Sequence, residues 1–552
     1  LTANSQLGRC LAGLTLAAAL GCAAWGQMPA STGAATGQSG TSAATGRTVQ
    51  GRVVNALSGA TIARALVSLN NRSVLTDSEG RFAFPDFTDA SASAMVSKPG
   101  FSATASGALA GAGRQRIADL DASLELKLYP DAVISGTLTD GEGLPLERVS
   151  VLLMRQTMQS DGMRWLPIRN VQTTHRGEFR FREPAGRFRL SVNALVRADV
   201  VLPVLYPGQS ASDGLGYFQT APGEEKQIDL RARTSPAYQV TVRLEPAEMR
   251  GLQFSAVTSE GESFPVPLAG MSNGGVLVSL PTGSFTLRAR LENREALFTG
   301  AARVTVTGPR SEPVTIHLEP AASLPVELSI DQTNASSANS YGQIAQAFAA
   351  PDARQFNLRL ERLDESPGLM NQDIQLRIND DKSEAFQVPP GRYRLLANGG
   401  GGQWYIESAT YGVANLMTSE ISIGSGGGGG TPIRLVVSSA KGTVSGTVKL
   451  PANTSGTADA IWIYLIPRGP SLGPIYPILL GINGAATATF TQTIPPGSYL
   501  AVAMNHQSEQ DLRDPEVQAR LSTAGKTVEI AAGATANVDL ETAPDSVNGA
   551  SL

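Results

Sequence analysis

Pro389-Pro390-Gly391-Arg392-Tyr393-Arg394-Leu395 is a turn followed by an alternating strand. Proline presets one turn torsion and glycine supplies the positive one. Tyr393 and Leu395 then fall on one face, because strand side chains alternate. The same phrase recurs at Pro184-Ala185-Gly186-Arg187-Phe188-Arg189-Leu190, at Pro281-Thr282-Gly283-Ser284-Phe285-Thr286-Leu287 and at Pro495-Pro496-Gly497-Ser498-Tyr499-Leu500. Its glycines, Gly186, Gly283, Gly391 and Gly497, are 97, 108 and 106 residues apart. A period near 100 residues fits a whole small β domain and is too long for a solenoid repeat.

The composition agrees. Gly (58) and Pro (33) are abundant and charged residues make up only 17%, as expected of strands and turns. The net charge of −4 gives no basic footprint for nucleic acid.

Leu1–Gly26 reads as a secretory signal: Arg9, the apolar run Leu11–Ala24, then small residues suited to cleavage after Gly26. Ala19-Leu20-Gly21-Cys22 loosely matches a bacterial lipoprotein box, so Cys22 is the candidate lipidation site. Both cysteines, Cys10 and Cys22, lie in this segment, so a chain cut after Gly26 has no disulfide and each module must stand on its own apolar core. Residues 27–47, small and polar, read as a flexible leader.

Residues 48–128 carry the clearest module. Gly51-Arg52-Val53-Val54 opens a strand, and Ala65-Leu66-Val67-Ser68-Leu69 is the next. In Thr76-Asp77-Ser78-Glu79-Gly80-Arg81-Phe82-Ala83-Phe84, Asp77 accepts backbone N–H groups, Gly80 takes the left-handed position, and Phe82 and Phe84 return to the core. With Val96-Ser97-Lys98-Pro99-Gly100-Phe101, this pattern resembles the carboxypeptidase regulatory-like domain. The resemblance implies a prealbumin-like, or carbohydrate-binding-like, seven-stranded sandwich. It is to the accessory domain of those proteins, so no peptidase activity is implied.

Residues 129–234 repeat the plan, with Ile134-Ser135-Gly136-Thr137-Leu138 as first strand and Thr173-Thr174-His175-Arg176-Gly177 as turn, Thr174 standing where Asp77 stood. Residues 235–320, 321–438 and 439–545 follow the same order and end in a tail, 546–552. The third and fourth stretches suit either this sandwich or a general immunoglobulin-like one. Ile461-Trp462-Ile463-Tyr464-Leu465-Ile466 is apolar on both faces, as for a central strand. One short helix is expected near the C-terminus: Asp514 caps it, Pro515 opens it, Val517 and Leu521 share a face, and Gly525 stops it. The expected fold is therefore all-β, a tandem array of about five antiparallel β-sandwiches.

Catalytic patterns are missing from the sequence. His175, His317 and His506 are the only histidines, and His506-Gln507-Ser508-Glu509 lacks a third metal ligand. His317 alternates away from Ile316 and Leu318, which suits an exposed strand position. Asn379-Asp380-Asp381 has too few oxygens for a calcium loop and reads as a turn. No metal or other cofactor is expected. Exposed aromatics beside polar groups would suit sugar binding, which makes Trp165, Trp404 and Tyr405 the candidate ligand residues. Asp77, Gly80, Gly177, Gly186, Gly283, Gly391 and Gly497 are structural turn residues.

These features point to a monomeric, non-enzymatic exported scaffold or binding protein, periplasmic or secreted, associated with the outer membrane through a lipid on Cys22 if at all. Its partners would be polysaccharide or envelope proteins and not nucleic acid. The alternatives are a polysaccharide-binding protein and an accessory component of an envelope uptake or hydrolytic system.

Overall fold

In the computed structural model, the described residues are 46–543 except 90–91, 104–113, 118–122, 160–161, 197–198, 208, 211–213, 246–250, 260–262, 273–274, 293–295, 310, 332–350, 364–372, 379–382, 398–403, 425–429, 450–459, 470–472, 482–486, 506 and 509. The signal segment with Cys22, residues 27–45 of the leader, Asn379–Asp381, His506, Glu509 and the tail lie outside them.

The chain is an all-β tandem array of sandwiches. One strand order recurs five times. In the first module, Arg47–Asn55 runs between Arg81–Phe87, antiparallel, and Leu124–Pro130, parallel. The facing sheet sets Leu66–Leu69 between Arg72–Leu75 and Ala92–Ser97. The same three-strand core follows around Ala132–Thr139, Thr234–Glu245, Ala322–Ile330 and Gly442–Lys449. The third and fourth stretches thus share the topology of the others. The sheets are mainly antiparallel, but in each module the first strand pairs in parallel with chain near the module's end, in two short stretches in the second and fifth modules. Alternation in sequence gives no direction for a partner strand, so that pairing was not legible.

Five apolar clusters fill the sandwiches, each drawn from its own run of chain: Val49 to Leu128, Ile134 to Ala232, Val240 to Leu318, Ala322 to Val437 and Val444 to Leu540.

The first two modules repeat down to single hydrogen bonds. Asp77 Oδ1 accepts from the Glu79 and Arg81 amides at 3.0 and 2.7 Å, and Gly80 sits at φ +73°. In the second module Thr174 Oγ1 accepts from Arg176 and Glu178, and Gly177 sits at φ +74°. Just before each turn a buried threonine bridges two loops: Thr76 donates to Ile62 O and accepts from the Ala65 amide, and Thr173 does the same with Leu146 O and Val149.

In the repeated phrase the aromatic ring folds back over its glycine. A Cβ at Gly283 would lie 3.0 Å from the Phe285 ring, and the Tyr393 and Tyr499 hydroxyls donate to Pro389 O and Pro495 O at 2.9 and 3.0 Å. Gly283, Gly391 and Gly497 have positive φ, but Gly186 does not. There the glycine leaves room for a neighbour instead: a Cβ would come within 3.0–3.3 Å of the Arg155 guanidinium.

The modules also join. Val200 and Val201 pair with Ser235 and Thr234, so a sheet of the second module runs on into the third. Strand Arg114–Ile117 of the first module lies beside Tyr476–Gly481 of the fifth. A sixth apolar cluster belongs to two modules at once. Met158 joins Trp462, Tyr464, Ile466, Leu512, Val517 and Leu521. The apolar strand Ala460–Pro467 therefore buries Ile461, Ile463 and Leu465 in its own core and its other face under the helix Pro515–Leu521 and the Met158 hairpin. Asp514 caps that helix as expected, accepting from the Glu516 amide at 2.7 Å.

Candidate functional site

The second module places the most chemistry on one surface. Its strands Ser150–Gln159 and Gly162–Gln172 form a long hairpin, and Gly186–Val196 pairs with the first of them. Phe188 and Leu190 point into the core, so Arg187 and Arg189 point the other way. The register sets Met154 opposite Arg189 and Gln156 opposite Trp165.

Trp165 is half-buried, and the Arg189 guanidinium lies 3.8 Å from its ring centre. Arg189 Nε donates to Gly216 O at 2.8 Å, which draws the next residue, Tyr217, to the same face. The Trp165 and Tyr217 rings are 6.4 Å apart, and the Arg187 guanidinium lies 4.8 Å over Tyr217. The result is two rings, each capped by a cation, a contact strengthened where water is excluded. Burial lowers the Arg189 pKa to about 10, so it stays charged at neutral pH. Tyr217 is 45% exposed and is the accessible ring of the group.

The other two candidates lie elsewhere. Trp404 is half-buried and packs against the fourth module's core. Tyr405 opens strand Tyr405–Tyr411 opposite Ser438. Burial raises its hydroxyl pKa, against a hydrogen bond with Ser438 that lowers it. The structure does not join these two to Trp165. It adds Tyr217, Arg187 and Arg189, which the sequence reading missed. The arginines could have been found from the alternation Arg187-Phe188-Arg189-Leu190. Tyr217 could not, because a contact between side chains on separate segments brings it in.

Further along the hairpin, Arg164 leaves its own module. Its Nη1 lies 3.4 Å from Asp373 Oδ2 and 3.7 Å from Glu361 Oε1, both of the fourth module. Arg359 Nε approaches the same Asp373 oxygen at 3.4 Å. All four side chains are largely buried, Arg164 being 9% exposed. This cluster ties modules together.

His317 Nδ1 lies 2.9 Å from Glu245 Oε2, with both side chains exposed, and His175 is exposed in its turn. Among the described residues no three His, Cys, Asp or Glu side chains stand together as metal ligands. No described helix is long and apolar enough to cross a membrane.

Residues 48–125 match the carboxypeptidase regulatory-like domain family. None of the curated proteins matches the chain. Solved structures similar to parts of it include the Bacillus anthracis TIE protein, at 12% identity over 50% of this chain and 51% of that one, TM-score 0.18. This chain therefore spans about half the length of that protein. A streptococcal ancillary pilin is 11% identical over 56% of this chain and 99% of its own, TM-score 0.20. Two B repeat units of the Staphylococcus aureus collagen-binding protein are 10% identical over 75% of this chain and all of theirs, TM-score 0.15. At these scores the likenesses carry no functional argument.

Proposed function

We propose that this array, opened by a carboxypeptidase regulatory-like domain, is a non-catalytic structural or binding scaffold exported to the cell envelope. The observation that supports it best is the use made of buried charge. Arg164, Asp373, Glu361 and Arg359 brace one module against another. Met158 does the same with apolar surface. Such a chain holds surfaces in fixed relation, and its polar interior serves that end. Export rests on the apolar run Leu11–Ala24 and the small residues after it.

Purified chain incubated with peptide, ester and glycoside panels should turn over none of them. A specific hydrolysis abolished by one point substitution would overturn the proposal. Mass spectrometry of the mature N-terminus should show a start at Gln27, and a lipid-bearing Cys22 would replace soluble export with anchoring.

A second reading is polysaccharide binding, favoured by Tyr217, an exposed ring beside Trp165. Binding on a glycan array that disappears in Trp165→Ala supports it. Binding untouched by Trp165→Ala and Tyr217→Ala argues against it.

A further inference from the structure

We propose that the Tyr217–Trp165 face of the second module takes an acidic polysaccharide whose sugar ring carries a carboxylate, a uronic acid. This rests on the polysaccharide reading above and narrows it to one chemical class.

Three observations carry it. The first is charge. Residues 150–200 hold nine of the chain's 44 Lys and Arg but only four of its 48 Asp and Glu, while the whole chain is net negative. Of those nine, Arg187 and Arg189 stand at this face, while Arg164 and Arg169 pair with acidic side chains and Arg180 lies on the facing sheet. The second is the platform. Tyr217 is 45% exposed and is backed by the half-buried Trp165, whose ring centre lies 6.4 Å away, so one supported ring is offered to a chain of sugars. The third is the distance between platform and charge. Arg187 sits 4.8 Å over Tyr217, so a cation adjoins the accessible ring, while Arg189, 8% exposed and donating to Gly216 O, holds Trp165 behind it.

A uronic acid has the matching design, since its carboxylate is one bond from the ring that stacks. Planar guanidinium groups pair well with carboxylates. A nucleotide holds its phosphate a whole sugar away from the stacking base, which fits this compact arrangement poorly.

The test is titration calorimetry of the full chain with an oligomer of galacturonic acid, with the same oligomer methyl-esterified, and with single-stranded DNA of similar length. The acidic oligomer should bind, and its ester should bind at least about tenfold more weakly, the scale of one charge-assisted contact. Tyr217→Ala should cost the acidic oligomer about tenfold or more. Arg187→Gln should abolish the preference for acid over ester. Arg52→Gln, on the first module, should change nothing. Thermal unfolding of each variant checks that loss of binding is not loss of fold. Equal binding of acid and ester through Tyr217 overturns the proposal and keeps the polysaccharide reading. No binding of either overturns both. Tighter DNA binding that Tyr217→Ala removes overturns the proposal in favour of nucleic acid.

Discussion

Three glycines in first strands have no freedom to change. A Cβ on Gly51, Gly136 or Gly446 would lie 2.2, 1.7 or 1.8 Å from a carbonyl oxygen of the passing last strand, Leu124, Ile228 or Val538. The ring of Phe82, Phe179 or Phe490 covers the other side, at 2.7, 3.0 and 3.0 Å. The parallel strand can only come this close where there is no side chain. Backbone would have to shift to admit a methyl group, and overpacking of this kind costs about 3 kcal/mol. Gly136→Ala should therefore speed hydrogen exchange across Ala132–Thr139 and lower the temperature at which that module unfolds. Gly141→Ala, a position with nothing within 4 Å, should stay within about 0.5 kcal/mol of wild type. Equal effects at the two sites would refute the close-approach account. The tyrosines of the repeated phrase offer a finer test. Tyr393→Phe removes only the hydrogen bond to Pro389 O and should cost about 1 kcal/mol, read as a lower unfolding temperature. Phe188 and Phe285 fill the same place in other modules without that hydroxyl, so the phenyl ring is expected to pack unchanged.

Elements were legible where local chemistry defines them. Asp77 and Gly80 spell a turn, Asp514 and Pro515 spell a helix start, and Tyr393 with Leu395 spells a buried strand face. Pairings between distant strands were not legible, because nothing in Leu124–Pro130 announces that it runs parallel to Arg47–Asn55. The candidate site was half legible for the same reason: Trp165 stood out by type, while Tyr217 reaches it through a contact that no local pattern encodes. One element also titrates. The short turn Ala353–Phe356 is capped by Asp352, whose carboxylate pairs with Arg354 and is thereby held below its usual range. Glu384, at the start of Glu384–Val388, stands beside them. Burial, then the neighbouring Asp352 carboxylate, pushes it up to about 7 from an ordinary value near 4.5. The folded chain thus holds this proton more tightly than the unfolded chain. The contribution is fully present below about pH 4.5 and is lost as pH rises through about 7. Asp352 acts in the opposite sense and at lower pH, so the two windows do not overlap. The fourth module should unfold at a lower temperature at pH 7.5 than at pH 5, and Glu384→Gln should flatten that difference. The same slope in both chains would show that Glu384 is not the group responsible.

At the scale of the molecule, the hairpin Ser150–Gln172 is what keeps the array from being a string of separate sandwiches. It is longer than its own core requires, and its far end works on other modules. Met158, 3% exposed, enters the cluster around Trp462, and Arg164 enters the pair Asp373 and Glu361. Two kinds of force act, apolar packing on the fifth module and paired charge on the fourth, and removing either should loosen the array. Arg164→Ala leaves Asp373 with Arg359 and Glu361 with Arg394 as the remaining cations. Deleting one partner of a fully buried pair costs about 3–5 kcal/mol; with Arg359 at hand and Glu361 partly open to water, the loss here should fall below that. Met158→Asp is harsher, since it sets a charge among the apolar side chains of Trp462, Leu512 and Val517. Neither residue belongs to the five sandwich cores, so both variants should keep their strand content by circular dichroism. What should change is the relation between modules. Small-angle scattering should give a larger radius of gyration for Met158→Asp, and for Arg164→Ala with Met158→Asp together, than for the parent chain. Proteolysis should cut the chain between modules sooner in both. If the scattering curves of parent and double variant superpose, the hairpin is not the brace, and the sheet shared by the second and third modules, with the contact of Arg114–Ile117 on Tyr476–Gly481 and the Arg377–Glu292 pair, would have to hold the array.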